Sequence, residues 1–348
     1  MNKKSTLFFI AGITLLMCIN STLTAQSFKD AVSYMQFMSN EYDAISTDMW
    51  EYAKISAHSK SAARAENKRK DLVNTVLNAR KKISGMPDYD GSTRLRDSVV
   101  SFLNLSYHIL AEDYAKVVDL EEIAEQSYDL MEAYLLAKEK AGEKMDQSSE
   151  MIYEEQKKFA QDHDITLVEN TDKISKNLKV ANEVSKYYNE IYLIFFKSNK
   201  QEAYMLDALS KNDINAVEQN RNTLLSFARE DLAKLEAIKG FNNDISLKHS
   251  CQQQLDFYVN EAENKIPVIT DYYLKKERFD KIKAAFDAKS QSARTQDDVN
   301  QYNKAVDELN KATNAYNRTT QELNTFHKKY ADDWNRISQA FFDRHVPK

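Results

Sequence analysis

The sequence predicts an all-α protein of elongated antiparallel helical bundles, built from a tandem-duplicated helical unit. Three observations point there. Beyond residue 25 the chain holds only four glycines, Gly85, Gly91, Gly142 and Gly240, and three prolines, Pro87, Pro267 and Pro347, so the residues that interrupt helices are nearly missing. Apolar residues recur at helical spacing in each long segment. The order of segments also restarts after about residue 165, which divides the chain into a signal peptide (1–25), a first bundle unit (26–165) and a second (166–348).

The elements follow in order. Ser27 is placed to cap a first helix, with Asp30 three residues on. Phe28, Met35, Tyr42 and Met49 then repeat every seven residues beside Ala31, Met38, Ile45 and Tyr52, an a/d seam. A second helix runs from about Ser61 to Ile83 and stops at Gly85, Met86 and Pro87. Asp88 to Ser92 forms a turn, and Ser92 is placed to cap a third helix that carries Leu95, Val99, Phe102, Ser106, Ile109, Val117 and Leu120. Helical patterning continues past Tyr134 to an interruption at Gly142 and resumes to Ala160. The stretch from Asp162 to Thr171 loses the period and reads as a linker.

Downstream, Val180, Val184, Tyr187, Ile191 and Ile194 mark one helix, and Leu224, Leu225, Ala228, Leu232 and Leu235 the next. Individual residues match between halves: Asn40 and Glu41 with Asn189 and Glu190, Leu95 and Ser98 with Leu247 and Ser250, Lys157, Lys158 and Ala160 with Lys328, Lys329 and Ala331. Gly85 and Gly240 then mark the same bend in the two copies, while Gly142 and Pro267 interrupt regions where the copies cease to align. The last helix starts at Thr295, with Asp298 at the third position. Tyr302, Leu309, Tyr316, Leu323, Tyr330 and Ile337 fall seven apart on one seam position, and Val299, Val306, Thr313, Thr320, His327, Trp334 and Phe341 on the other. Six heptads predict a rod of about 70 Å, with a polar middle where Thr313, Thr320 and His327 fall. Asn303, Asn310, Asn317 and Asn324 recur beside the seam, either bonding to a neighbouring helix or forming a solvated edge.

Lys3 and Lys4, an apolar run from Leu7 to Ile19 and small residues ending at Ala25 have the layout of a secretory signal peptide. A second reading makes Cys18 a lipidated residue, although Met17 stands where such sites want a small residue. The chain has 48 basic and 53 acidic side chains, a net charge of −5 that becomes −7 once Lys3 and Lys4 leave with the leader. An acidic chain of mixed charge argues against a nucleic-acid partner. Only Cys251 remains beyond the leader, so no intramolecular disulfide forms there. The longest later apolar stretch, Ile191 to Phe196, is six residues, against roughly 20 for a membrane span, so the mature chain is expected to have no transmembrane segment.

No catalytic, metal or cofactor signature is present: no H-E-x-x-H, no E-x-x-H pair, no C-x-x-C, no G-x-S-x-G and no phosphate-binding glycine loop. No catalytic residue, metal ligand or cofactor is therefore expected. His108 and Glu112 share a helix face, and His163 stands between Asp162 and Asp164, but a surface pair and a solvated linker explain them. Adjacent acids such as Glu154 with Glu155 and Asp332 with Asp333 diverge by about 100° and form no dyad. Lys60, Arg64, Lys68, Arg69 and Lys70 are a basic cluster that a solvated helix face explains. Of the 19 tyrosines, Tyr187, Tyr188, Tyr192, Tyr272 and Tyr273 are the candidate ligand-binding residues, because a polar tip on an apolar body suits a carbohydrate or protein groove as well as a core.

Tyr187, Tyr188, Asn189 and Glu190 through Phe196, then Gln201 and Glu202, the asparagine repeat, and the terminal Trp334, Asn335, Phe341, His345 and Pro347 resemble a family of uncharacterised all-helical bacterial surface proteins. The resemblance implies a secreted or lipid-anchored chain in a bacterium with an outer membrane, at the periplasm or outer surface, and no known activity. The functional expectation is a secreted cell-envelope protein with a non-catalytic binding or scaffolding role and a protein or envelope component as partner. The alternative is a small-ligand or carbohydrate sensor.

Overall fold

A computed structural model of the chain describes residues 28–59, 61–113, 126–167 and 173–348. The expected leader with Cys18, and Ser27, Lys60, Val117 and Leu120, lie outside the described residues. Among those described, the chain forms nine α-helices and no β-strand: α1 Ala31–His58, α2 Ala62–Ser84, α3 Arg94–Tyr107, α4 Tyr128–Asp162, α5 Lys173–Ser210, α6 Ile214–Ala237, α7 Ser246–Asn260, α8 Ile266–Asp287 and α9 Gln296–His345. A π-helical turn, His108–Asp113, extends α3, and a second, Glu261–Lys265, joins α7 to α8. The protein is all-α. No helix among the described residues is long and apolar enough to cross a membrane.

The caps explain where the helices begin. Asp30, not Ser27, caps α1: its carboxylate accepts from the Ser33 amide at 2.7 Å and Ser33 Oγ accepts in return from the Asp30 amide, a reciprocal capping box. Ser61, Ser127 and Asp213 cap α2, α4 and α6 one-sidedly, each accepting one backbone amide. The N-cap of α3 is Thr93 rather than the expected Ser92, and Thr93 makes no side-chain cap bond. At the head of α9 the expected pairing holds: Thr295 accepts from the Asp298 amide, and Asp298 from the Thr295 amide at 2.8 Å. One expected interruption is absent: Gly142 lies inside the unbroken α4. The α3 helix passes at Tyr107 into a π turn that runs to Asp113.

The described residues form two compact units, Met1–Glu190 with Gln339–Lys348, and Ile191–Ser338. This spatial division falls inside α5 and α9 and differs from the division between sequence copies at residue 165. In the first unit α1, α2, α3 and α4 pack in sequence order. Its core is Tyr34, Met38, Ile45 and Met49 from α1, Leu72, Val76 and Ile83 from α2, Val99, Phe102 and Leu103 from α3, and Met145 and Ile152 from α4. In the second unit Ile191, Phe195 and Met205 of α5 are buried, with Leu224, Ala228 and Leu235 of α6, Leu247, Leu255 and Tyr258 of α7, and Leu323 and Trp334 of α9. The indole of Trp334 stacks on Phe195 at 4.5 Å.

One stretch of each unit, from Trp50 to Leu110 and from Glu202 to Ala262, matches the other at an offset of 152 residues. Helix ends His58 and Ser210 correspond, as do the caps Ser61 and Asp213. Each short second helix leads into a one-residue-pair hairpin, Tyr89 with Ser92 and Phe241 with Asp244. The two central residues have positive φ in both cases, Asp90 (52°) and Gly91 (76°), then Asn242 (48°) and Asn243 (68°). That is the left-handed pair a type I′ turn requires, and Asp, Gly and Asn tolerate it best. A basic side chain closes each turn from behind: Arg96 donates to the Met86 carbonyl at 2.8 Å, and Lys248 to the Ile238 carbonyl at 2.6 Å. In this register the Asn40–Glu41 match with Asn189–Glu190 is out of step by three residues.

Gly85 and Gly240 therefore share a connection but not a position. Gly85 sits at the C-cap of α2 in right-handed helical geometry, where an added Cβ would come no closer than 3.5 Å to another atom. At Gly240 a Cβ would meet Ile245 Cγ2 at 2.9 Å and the Asp244 carbonyl at 3.0 Å. Gly240→Ala is expected to destabilise the protein by about 1–3 kcal/mol, through overpacking against backbone. Gly85→Ala is expected to be neutral or stabilising by about 0.5 kcal/mol, by restricting the unfolded chain. Urea denaturation midpoints of the two variants check the contrast.

Candidate functional site

The second unit contains a buried cluster of ionisable groups that no local motif announces. Glu202 comes from α5, Glu261 is the first residue of the second π turn, and His327 lies two-thirds of the way along α9. Their ligand atoms lie within 4.8 Å of one another. His327 Nε2 is 2.9 Å from Glu202 Oε1 and 3.1 Å from Glu261 Oε1. Glu261 is 0% exposed and Glu202 7%.

Each member has a local reason for its place. Arg221 of α6, held by Glu218 one turn earlier at 2.9 Å, donates to the Ala262 carbonyl at 3.1 Å and so takes up an oxygen of the π turn. The imidazole of His327 stands edge-on to Phe257, ring centres 5.3 Å apart. The fully buried Tyr258 accepts from Asn199 Nδ2 at 2.9 Å, and burial, with the Glu202 charge adding to it, raises its phenol well above the ordinary value.

Burial pushes the Glu261 carboxyl up from its ordinary range, only partly opposed by the hydrogen bond from His327. Burial alone would lower His327, but the Glu202 and Glu261 carboxylates beside it outweigh that and raise the imidazole. One imidazole nitrogen serves two carboxylates, bonded to Glu261 Oε1 and paired with Glu202 Oε1, while Glu261 Oε2 accepts no hydrogen bond. Two carboxylates and an imidazole are a donor set that divalent cations use. Nearby, Asp231, 1% exposed, accepts from Ser198 Oγ at 2.8 Å, and its pKa is raised by burial. Cys251 is fully buried, and burial raises its thiol far above the ordinary value.

The five candidate tyrosines do not form one site. Tyr187 and Tyr188 are buried and pack on Phe341 (5.6 Å) and Phe342 (5.0 Å) in the first unit. Tyr192 lies against Phe195 and Phe196 in the second unit. Tyr272 and Tyr273 are brought together with Tyr316 of α9: Tyr272 stacks on it at 4.4 Å, and Tyr273 meets it edge-on at 6.0 Å. Tyr316 also lines an open groove along α9, with Asn317, Thr320, Gln321, Asn324 and Lys328 among its walls.

The remaining sequence candidates are accounted for locally. His108 opens the first π turn, and the Glu112 side chain lies outside the described residues. His163 packs between Tyr89 and Phe159, with Asp90 Oδ2 at 3.9 Å, rather than joining Asp162 and Asp164. Of the basic cluster, Arg69 is buried, forked onto Glu66 and bonded to the Leu110 carbonyl of the first π turn. Lys68 and Lys70 face Asp71 and Glu66. Asn303, Asn310, Asn317 and Asn324 are all exposed, which makes the asparagine repeat a solvated edge. Among the adjacent acids, Glu154 pairs with Lys157 and Glu155 with Arg94.

The acid–histidine cluster escaped the sequence because its members are far apart in the chain and none sits in a motif. One signal was present: His327 is a polar residue at a seam position of α9. No protein-family model, curated protein or solved structure matches the chain.

The packing separates the tyrosines by consequence. Tyr188→Ala, in the core of the first unit, is expected to cost about 3 kcal/mol or more, and Tyr273→Ala, half-exposed, about 1 kcal/mol. Thermal unfolding of the two variants measures the difference.

Proposed function

We propose that the chain is a secreted cell-envelope or surface protein with a non-catalytic binding or scaffolding role, and that the α8–α9 hairpin is the part that meets its partner. The observation that carries the reading is the build of that hairpin. From Asp271 to Asp287 no residue of α8 is buried, and along the facing half of α9 Ala305 and Ala312 are the buried positions. The two helices hold each other through a thin aromatic seam: Tyr272 and Tyr273 on Tyr316, Phe286 stacked on Tyr302 at 4.7 Å, and Phe279 against Tyr302. Arg294 lies over the Phe286 ring at 4.1 Å, and Arg278 pairs with Glu308.

Such a hairpin presents helix surface on every outward side, which is what a scaffold offers a partner. Its surface is clothed in ion pairs four residues apart, Lys275 with Asp271, Lys276 with Asp280 and Lys281 with Glu277. These keep it soluble, and Leu274, 56% exposed, interrupts them beside the tyrosines. The N-terminal leader supports export. The common register of 152 residues supports descent of both units from one duplicated helical unit, and the residues from Tyr187 to Phe196 and around Trp334 support kinship with uncharacterised bacterial surface proteins.

A small-ligand or carbohydrate reading is favoured by one observation, the groove beside Tyr316, where an aromatic face meets amide side chains. The two readings separate in one experiment. Photoreactive side chains at the exposed Lys276 and Lys283 are expected to capture one dominant envelope protein in intact source cells, while the same group at the exposed Lys81 captures none. Equal capture from Lys81, or none from the hairpin, contradicts the scaffold reading. Binding to a glycan array that is lost in Tyr316→Ala would favour the second.

A further inference from the structure

We propose that Glu202, Glu261 and His327 form a binding site for one divalent transition cation of the kind that takes carboxylate and imidazole ligands together, such as Zn²⁺. The three side chains come from α5, the second π turn and α9, so the ion would tie three separate segments of the second unit. Their geometry needs little change. In a tetrahedral zinc site with bonds of about 2.0–2.2 Å, neighbouring ligand atoms lie about 3.3 Å apart. Here the imidazole nitrogen stands 2.9 and 3.1 Å from the two carboxylate oxygens, so these two sides of the triangle open by a few tenths of an ångström, and all three ligand atoms already lie within 4.8 Å of one another.

Two further observations point to a ligand rather than to a merely structural ion pair. The first is an unmet demand. Glu261 is wholly buried, and its Oε2 accepts no hydrogen bond. Buried carboxylates ordinarily gather donors on both oxygens, and leaving them short is costly. Two ionised carboxylates carry two negative charges. A divalent cation with a neutral imidazole brings the total to zero and gives both carboxylates a partner.

The second observation comes from the other unit. In the shared register of 152 residues Glu202 corresponds to Trp50 and Glu261 to Ile109, both buried and apolar, 7% and 4% exposed. The arginine that holds the π turn is the same in both: Arg69 on the Leu110 carbonyl, Arg221 on the Ala262 carbonyl. The scaffold is thus satisfied by apolar side chains at these two positions, and the acids of the second unit answer a need other than packing.

The surroundings suit the ion. The buried Tyr258 phenol feels the Glu202 charge and is placed to serve as an outer partner that orients a ligand. The side chain of His327 is 25% exposed, which leaves one side of the site open to solvent for a water as the fourth ligand. A single histidine with two carboxylates favours a transition cation over Mg²⁺ or Ca²⁺, which prefer sets made of oxygen alone.

The test uses the purified protein, freed of metal with a chelator. Calorimetric titration with Zn²⁺ is expected to show one equivalent bound and a raised thermal midpoint, and titration with Co²⁺ to give the intense visible bands of a four- or five-coordinate site. The near-isosteric Glu261→Gln and His327→Gln variants are expected to keep the helical circular dichroism spectrum and lose both the stoichiometric binding and the cobalt bands. Tyr258→Phe, which removes only the outer partner, is expected to weaken Zn²⁺ binding about tenfold. Absence of a stoichiometric site in the unaltered protein overturns the assignment. So does Zn²⁺ binding that persists unchanged in Glu261→Gln and His327→Gln, since the ion would then be held by other surface groups.

Discussion

Where a helix takes a π turn, its ladder of backbone hydrogen bonds slips by one residue, and a buried carbonyl oxygen is left to find another donor. In both units that donor is an arginine of the preceding long helix, Arg69 or Arg221, each aligned by a glutamate three residues before it. The guanidinium suits the task because it offers several N–H groups in a fixed plane, so one edge can grip the glutamate while another reaches the carbonyl. Much else depends on this contact. It allows the helix after the I′ turn to change phase without breaking, and the change of phase decides which side chains of the π turn face inward. In the first unit they are Ile109 and Leu110; in the second, Glu261 and Ala262.

The difference between the units is then a difference of side chains on one frame. The first unit fills the frame with Trp50, Ile109 and Val99. The second places Glu202, Glu261 and Cys251 at the corresponding positions and adds Asp231 in the place of Ala79. Buried acids lower stability unless they are fully paired. The second unit meets the cost in part with Ser198 on Asp231 and His327 on both glutamates. The remainder, a wholly buried Glu261 oxygen that accepts nothing, is the reason to look for an ion there. The hairpin of α8 and α9 begins directly at the π turn, so the same contact that turns Glu261 inward also sets where the exposed hairpin starts.

The helices were legible because their signals are local. Scarce glycine and proline and capping pairs such as Thr295 with Asp298 act within a turn or two of chain, and the structure follows them. Of the α9 seam residues only Leu323, Trp334 and Phe341 are buried, while Ala305, Ala312 and Thr319 beside the seam are buried in its first half. The I′ turns were legible in part: Asp90–Gly91 is a strong signal, whereas Asn242–Asn243 reads as a turn only beside its partner. Gly142 misled because one glycine costs a long helix only about 1 kcal/mol, which the rest of α4 absorbs. Burial was less legible. The asparagine repeat has the period of the seam but lies on its solvent side, and Tyr187 and Tyr188, which suit a groove as well as a core, are core. The acid–histidine cluster was invisible because convergence from residues 202, 261 and 327 is a tertiary fact, and π turns, which aim Glu261, have no sequence signature of their own.

Residue-resolved amide hydrogen exchange on Arg221→Met tests the central dependence most directly. Methionine keeps the length and apolar contacts of the arginine stem but removes the donors to the Ala262 carbonyl. The account predicts that protection collapses first across the π turn Glu261–Lys265 and the adjoining start of α8, with the His327 region following, while α1 to α4 keep their protection. If the π turn remains as protected as in the unaltered protein, or if exchange rises evenly through both units, the arginine does not hold the turn and the account is contradicted.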